Sequence, residues 1–444
     1  MCNFLWLADI YSAIKRRLWH PENPIPWLIY FLPLGAKNNS RISKNILSPP
    51  GQLKSFSGLL KETCYLLIVV FYACQTTSLP SPAIQDSPPS WSMVGFNKAD
   101  SINPILHPSE AQTFRCPISR ETVSWESRNV LNPAAVVKDG KVHLFYRAQD
   151  ATGTSRIGLA ISADGLHFKK EPVPVFFPNE DSMKIHEWNY RKMENEKTDL
   201  NCKSCYFDGV EDPRIVELED GTYLMTYTSY DGKTARLSLA SSKNLKNWTK
   251  HGLVLSDEKY KNTWSKSGAI IARQEEEKII ATKINKQYWM YFGDTDLFLA
   301  SSKDGIHWKI AEDPEMKHRI SVLQPRAGYF DSRLVEPGPY ALIRPEGILL
   351  IYNARNGPEY NDPNLPDYTY AAGQALFDIE KPWKLINRLD SYFIHPDKPY
   401  ELEGEVNKVC FVEGMVFFNN RWFLYYGTAD SKIAVAVMKE NKIL

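Results

Sequence analysis

An all-β fold, a five-bladed β-propeller, is what this chain predicts, on three observations. One strand signature recurs five times, a second strand and a polar turn follow three of its copies, and no window between residues 125 and 440 holds a sustained helical period. The signature is an apolar run that ends in tyrosine and passes into small or polar residues. Its copies are Leu144-Phe145-Tyr146-Arg147-Ala148, Met225-Thr226-Tyr227-Thr228-Ser229, Trp289-Met290-Tyr291-Phe292-Gly293, Leu350-Ile351-Tyr352-Asn353-Ala354 and Leu424-Tyr425-Tyr426-Gly427-Thr428. Successive tyrosines stand 81, 64, 61 and 74 residues apart, so the repeat is loose and carries insertions. The companion strands begin at Ile157, Leu237 and Leu297 and close on an aromatic residue, Phe168, Trp248 and Trp308. Asp164-Gly165 and Asp304-Gly305 at two of the turns are hairpin signals. A β-sandwich does not account for five copies of one unit, whereas blades arranged radially do. In a propeller the inner strands converge on one channel, so Arg147, Asp294, Asn353, Arg355 and Asp430, each just after a repeat tyrosine, become candidates for one polar cluster.

The chemistry concentrates in Gly209-Val210-Glu211-Asp212-Pro213-Arg214, two carboxylates and a guanidinium leading into the strand Ile215-Val216-Glu217-Leu218. Pro213 is expected to hold Asp212 extended, sending the two acids in different directions. An acid pair beside an arginine suits a site that holds sugar hydroxyls and delivers a proton. A surface turn with a structural Asp–Arg pair is the bland alternative.

With 53 basic against 52 acidic residues the chain is nearly neutral, and no basic stripe argues for nucleic acid. Its 12 Trp, 23 Tyr and 20 Phe suit rings that stack on sugars and equally suit sheet cores. The reading divides the chain into an N-terminal extension (1–74), a Pro/Ser-rich tether and lead-in (75–120) and a catalytic propeller (121–444). Cys64 to Ala73 is an apolar run of signal-core length that ends at Cys74. Cys74 is thus a candidate lipidation site, and the expectation is an exported protein, periplasmic or anchored to the cell envelope. The position of this run far from Met1, and the bulky Phe71 and Tyr72, argue the other way. Cys202-Lys203-Ser204-Cys205 lacks a second ligand pair, so no metal and no cofactor is expected.

Gly209–Arg214, Asn132-Pro133-Ala134 with Tyr146-Arg147-Ala148, and Tyr426-Gly427-Thr428-Ala429-Asp430 resemble glycoside hydrolase family 130 in order and over residues 125–440. The resemblance implies a five-bladed propeller acting on β-mannosides, with Asp212 as the proton donor, acting through a sugar hydroxyl. It implies that Asn132, Arg147 and Asp430 hold the sugar, and Glu211, Arg214, Asn353 and Arg355 join them as positioning candidates.

The family contains inverting phosphorylases and inverting hydrolases. The first need a cationic pocket for phosphate, the second a carboxylate that activates water. Where phosphorylases of the family carry His-Arg-Pro and Tyr-His-Gly, this chain has Phe292-Gly293-Asp294 and Tyr352-Asn353-Ala354. Arg333-Leu334-Val335-Glu336-Pro337 adds a further acid. The resemblance therefore implies the hydrolase branch, cleaving β-1,2-mannosides, with Glu336 as first choice for the base and Asp294 as second. Glu405 and Glu413, placed on either side of a strand Val406 to Val412, are reserves. Lys266, Lys283 and Arg355 are the residues from which a phosphate site would be rebuilt in a phosphorylase. A glycan-binding propeller without catalysis is a third reading, and the oligomeric state is left open.

Overall fold

A computed structural model describes residues 88–192 and 206–439. Among these the regular structure is almost wholly β, with two four-residue helices, Lys184–Glu187 and Pro399–Leu402, and one short 3-10 turn, Tyr190–Lys192. The all-β expectation holds.

Antiparallel pairing groups most of the described strands into five sheets, while Ser109–Arg115 and Thr122–Glu126 pair as a separate two-stranded one. The first is built from Asn129–Lys138, Lys141–Gln149, Thr154–Ser162 and Lys169–Lys170. The second repeats the pattern with Asp208–Glu217, Tyr223–Tyr230, Ala235–Ser242 and Thr249–Leu253. The third runs through Ala269–Glu275, Tyr288–Phe292, Leu297–Ser302 and Trp308–Ile310. In the fourth, Leu334–Pro337 and Ala341–Arg344 share the edge of Gly347–Arg355, followed by Tyr370–Phe377 and Leu385–Arg388. The fifth takes Cys410–Phe418, Arg421–Thr428 and Lys432–Lys439, and its outer strand is Asn97–Lys98 from the other end of the unit. A short strand from the lead-in thus finishes the last sheet.

Each sheet packs on the next. Phe145 meets Trp248 edge-on between the first two, and Thr226 Oγ1 donates to the Gly268 carbonyl between the second and the third. Tyr291 lies against Phe377 and Tyr370 against Phe411, and Phe168 of the first sheet meets Tyr425 of the fifth. These contacts link each sheet to the next, and the fifth to the first.

The repeat tyrosines are all fully buried, and four of their hydroxyls donate to a buried carboxylate. Tyr146 bonds Glu126, Tyr227 bonds Glu187, Tyr352 bonds Asp331 and Tyr426 bonds Glu401, at 2.8–2.9 Å. A cation sits on each acid: Lys170, Lys250, Arg388 and Lys98 respectively. The third sheet differs, because Tyr291 donates to the Pro382 carbonyl instead. The signature thus records a buried latch that fastens each sheet to a connecting segment. The Asp-Gly turns have an equally local cause: Asp164 and Asp304 each accept two backbone N–H groups from the residues that follow.

Candidate active site

The leading strands of the sheets break their ladders at similar places. Register shifts fall between Leu131 and Pro133, between Glu211 and Arg214, and between Val412 and Gly414. These bulges carry Asn132, Asp212 and Glu413. A bulge re-aims one side chain without ending the strand. Asn132 and Asp212 have φ of 47° and 51°, and Ser267, just before the third leading strand, has 58°. Asp212 is therefore left-handed and not extended, which corrects the expectation drawn from Pro213. The bulge overrides the pre-proline preference, at a residue type that tolerates this region.

The outcome is that Asp212 turns into the cluster beside Glu211. Gly209 makes the approach possible: at φ 117°, a Cβ there would meet the Ser155 carbonyl oxygen at 2.2 Å.

Asp212 is 2% exposed and surrounded by donors. Asn132 Nδ2 donates to Oδ1 at 2.8 Å and Arg147 Nη1 to the same oxygen at 3.2 Å. Lys266 Nζ lies 3.5 Å from Oδ2. Burial works to raise its pKa, but Arg147, Lys266, the Asn132 amide and Arg214 outweigh it and hold Asp212 well below the usual carboxylate range. Glu211 accepts from Arg147 Nη2 at 2.6 Å and from Ser155 Oγ at 3.1 Å. Burial nonetheless raises its carboxyl, against the pull of Arg147.

Glu336, 6% exposed, accepts the Ser267 hydroxyl. Burial pushes its carboxyl up to about 7, with Lys266 opposing and Asp294 adding to the rise. Asp430 is raised to about 6, first by burial, with Arg147 opposing and Asp212 contributing. Lys266 is desolvated too, yet Asp212, Glu336, Glu211 and Asp294 raise its pKa, so it stays charged. It is the common neighbour of the four acids.

Arg214 is a scaffold residue. Nε donates to the Gly338 carbonyl and Nη2 to that of Pro337, both at 2.7 Å, and Nη1 reaches the Asp212 carbonyl at 3.2 Å. It ties the Asp212 bulge to the chain just after Glu336. Asn353 is equally occupied, donating to the Val412 carbonyl at 2.9 Å and accepting its N–H at 2.7 Å. The structure thus places it as a clamp between the fourth and fifth sheets. Arg355 lies over the rings of Tyr368 and Tyr370, and its buried Nε has no hydrogen-bond partner. Asp294 accepts the indole N–H of Trp264.

Of the reserves, Glu405 pairs with Arg128 at 2.7 Å. Glu413 lies inside the strand Cys410–Phe418, which corrects its expected position beyond a strand end. Its carboxylate is buried 2.7 Å from Arg214, in a geometry that gives neither oxygen a hydrogen bond. Burial drives its pKa well up, against Arg214. Lys283 lies over Tyr288, on another part of the third sheet.

Sequence reasoning passed over Ser155, Ser267, Trp264 and the central position of Lys266. The signal for the last three was positional: Trp264-Ser265-Lys266-Ser267 immediately precedes the third leading strand, as Asn132 and Asp212 sit at the bulges of the first two. Cys74, Cys202 and Cys205 lie outside the described residues, and among the described residues no His, Cys, Asp and Glu group could hold a metal ion.

Paired buried acids cross-linked by an arginine, a lysine and an amide, gathered from the leading strands of several sheets, define a carbohydrate-active type of site. The family profile described as beta-1,4-mannooligosaccharide phosphorylase matches residues 97–444, and the chain belongs to glycoside hydrolase family 130. A 1,2-beta-oligomannan phosphorylase of Thermoanaerobacter sp. is 30% identical over 330 residues, 72% of this chain and 93% of that protein. A glycosyl hydrolase structure from Bacteroides ovatus is 40% identical with a TM-score of 0.73, covering 80% of this chain and 96% of the other. Another solved structure comes from work on GH130 glycoside hydrolases that target beta-1,2 mannosidic linkages in Candida mannan. It is 39% identical with a TM-score of 0.75, covering 80% and 97%.

Proposed function

We propose that this protein is a five-bladed β-propeller that hydrolyses β-mannosides, β-1,2-linked ones foremost, with inversion. The ring of five successive sheet contacts supports the propeller. The observation that carries the reaction is Glu336: a second buried carboxylate, raised to about 7 and held by Ser267, whose charge acts on the same Lys266 that pairs with Asp212. Inverting hydrolysis needs two acids with separate duties, and a base poised near neutrality suits the activation of water.

In this reading Asn132 and Arg147 fix the orientation of Asp212, which passes a proton through a sugar hydroxyl to the leaving oxygen. Glu336, oriented by Ser267, takes the proton of the attacking water. In the free site the proton of the pair resides on Glu336, because Asp212 is the stronger acid. Substrate that displaces water from Asp212 raises its proton affinity, and the proton is then available on the leaving-group side. Glu211, Asp430 and Arg355 remain to hold the sugar. The solved structure from work on hydrolases that target beta-1,2 mannosidic linkages in Candida mannan supports this branch at 39% identity.

Phosphorolysis is the second reading, favoured by the cations Lys266, Arg147 and Arg355 around the cluster and by the phosphorylase names of the family profile and curated relatives. Release of sugar from β-1,2-mannobiose and β-1,4-mannosides, with and without inorganic phosphate, separates the two. Free mannose in both tubes is expected. Mannose 1-phosphate, formed only with phosphate, would replace hydrolysis by phosphorolysis. Export and lipidation at Cys74 remain proposals, and the intact mass of membrane-extracted protein tests them.

A further inference from the structure

Trp264 is 47% exposed, as Trp383 is, but it alone of the two stands at the start of the segment that supplies Lys266 and Ser267 to the site. Three contacts hold it there. Its Nε1 donates to Asp294 Oδ2, its ring meets Tyr230 edge-on at 6.3 Å and 69°, and the Lys266 carbonyl two residues on accepts the Gly293 N–H at 3.0 Å. Tyr230 is paired across the second sheet with Gly209, the first residue of the acid motif. Asp294 in turn acts on both Lys266 and Glu336 through its charge. The indole is therefore pinned in orientation, left open to solvent, and bordered by the catalytic cluster. Leaving a large ring uncovered forgoes the gain of burying it, and a covering ligand restores that gain. The C–H face of a pyranose is the natural cover for an exposed π-surface rimmed by hydrogen-bonding groups.

We propose that Trp264 is the platform on which the leaving-group sugar stacks, making it a specificity-determining residue, and that Asp294 is a positioning residue for this ring rather than the base. The inference rests on the glycosidase reading above and deepens it. It explains why a carboxylate beside the cluster spends an oxygen on an indole N–H, leaving Glu336 to deal with water.

The test compares β-1,2-mannobiose with β-mannosyl fluoride, whose departing fluoride leaves the platform empty. The quantity read is the ratio of kcat/KM for the two substrates. W264A is expected to lower this ratio by about tenfold, mostly through KM, and W264F to recover most of it. D294A should lower the ratio in the same direction, and D294N, whose amide oxygen still accepts the indole N–H, should lower it less. An unchanged ratio in W264A overturns the proposal, as does loss of turnover on both substrates in D294N, which would return Asp294 to the role of base. If the wild-type protein cleaves no mannoside with or without phosphate, the glycosidase reading fails by itself. Calorimetric titration with β-1,2-mannobiose then decides the platform: equal affinity in wild type and W264A, or no binding in either, overturns it.

Discussion

Asp212 and Glu336 have opposite electrostatic settings within one cluster. Three positive groups and an amide hold Asp212 ionised, and burial beyond what Lys266 offsets keeps a proton on Glu336 to about pH 7. The reactive pair thus carries one proton in total, and that proton is lost as pH rises through the value of Glu336. We expect kcat/KM, which reports the free enzyme, to fall as pH rises through about 7, whichever acid holds the proton at the transition state. A profile flat or rising between about pH 6 and 9 would contradict this. Amide substitutions divide the roles: D212N should keep most of its activity on a dinitrophenyl β-mannoside, whose leaving group needs little protonation, whereas E336Q should lose it and regain turnover with azide. At Asn132 the loss is double. N132A removes a hydrogen bond to the buried Asp212 and puts alanine at φ 47°, where left-handed backbone costs about 1–2 kcal/mol. N132G keeps the backbone at ease and isolates the loss of the amide, so a melting temperature closer to wild type than that of N132A is expected, with activity equally low.

At the scale of the element, the recurring tyrosine is a latch. Tyr146, Tyr227, Tyr352 and Tyr426 each satisfy a buried carboxylate that also meets a cation, and deleting one partner leaves a desolvated charge short of a donor. Each Tyr→Phe change at these four positions should cost about 1–3 kcal/mol in urea unfolding. Y291F should cost less, because its hydroxyl donates to a neutral carbonyl. Equal losses at all five positions would argue that packing, and not the carboxylate, sets the cost. Glu187 adds a pH signature, with burial raising it to about 7 against the pull of Lys250. A carboxyl raised on folding contributes stability that is complete below its unfolded value, about 4.5, and is lost as pH rises through about 7. Replacing Glu187 with Gln should flatten the decline of stability across that window, which chemical denaturation at several pH values measures.

At the scale of the whole unit, the fifth sheet depends on the lead-in. Asn97–Lys98 pairs with Lys432–Lys439, Leu106 bridges Ile433, and Asn103 bonds both backbone groups of Val435. Lys98 adds an ion pair to Glu401, the acid that Tyr426 holds. Removing residues through Leu106 exposes the edge of Lys432–Lys439 and strands a buried carboxylate, so loss of cooperative unfolding and aggregation are expected. Pairing Asn97–Lys98 with Lys432–Lys439 ties the lead-in to the fifth sheet and covers an edge that would otherwise be open.

The sequence by itself determined the β character and singled out the acids that the structure buries together, because each is a local fact: a two-residue period and an acid pair beside an arginine. It also indicated Asn132 and Arg147, which do meet at Asp212. What only the tertiary structure decided was direction and company. Asp212 was expected to lie extended before Pro213, and a bulge turned it left-handed. Asn353, expected at the sugar, spends its amide on the backbone of Val412. Lys266 came to share its charge with four acids, and Glu413 to lie buried with its carboxyl pushed up, only when strands distant in sequence came together. Ionisation and orientation depend on burial and on neighbours across sheets, and no local pattern in one strand encodes the neighbours that another strand will bring.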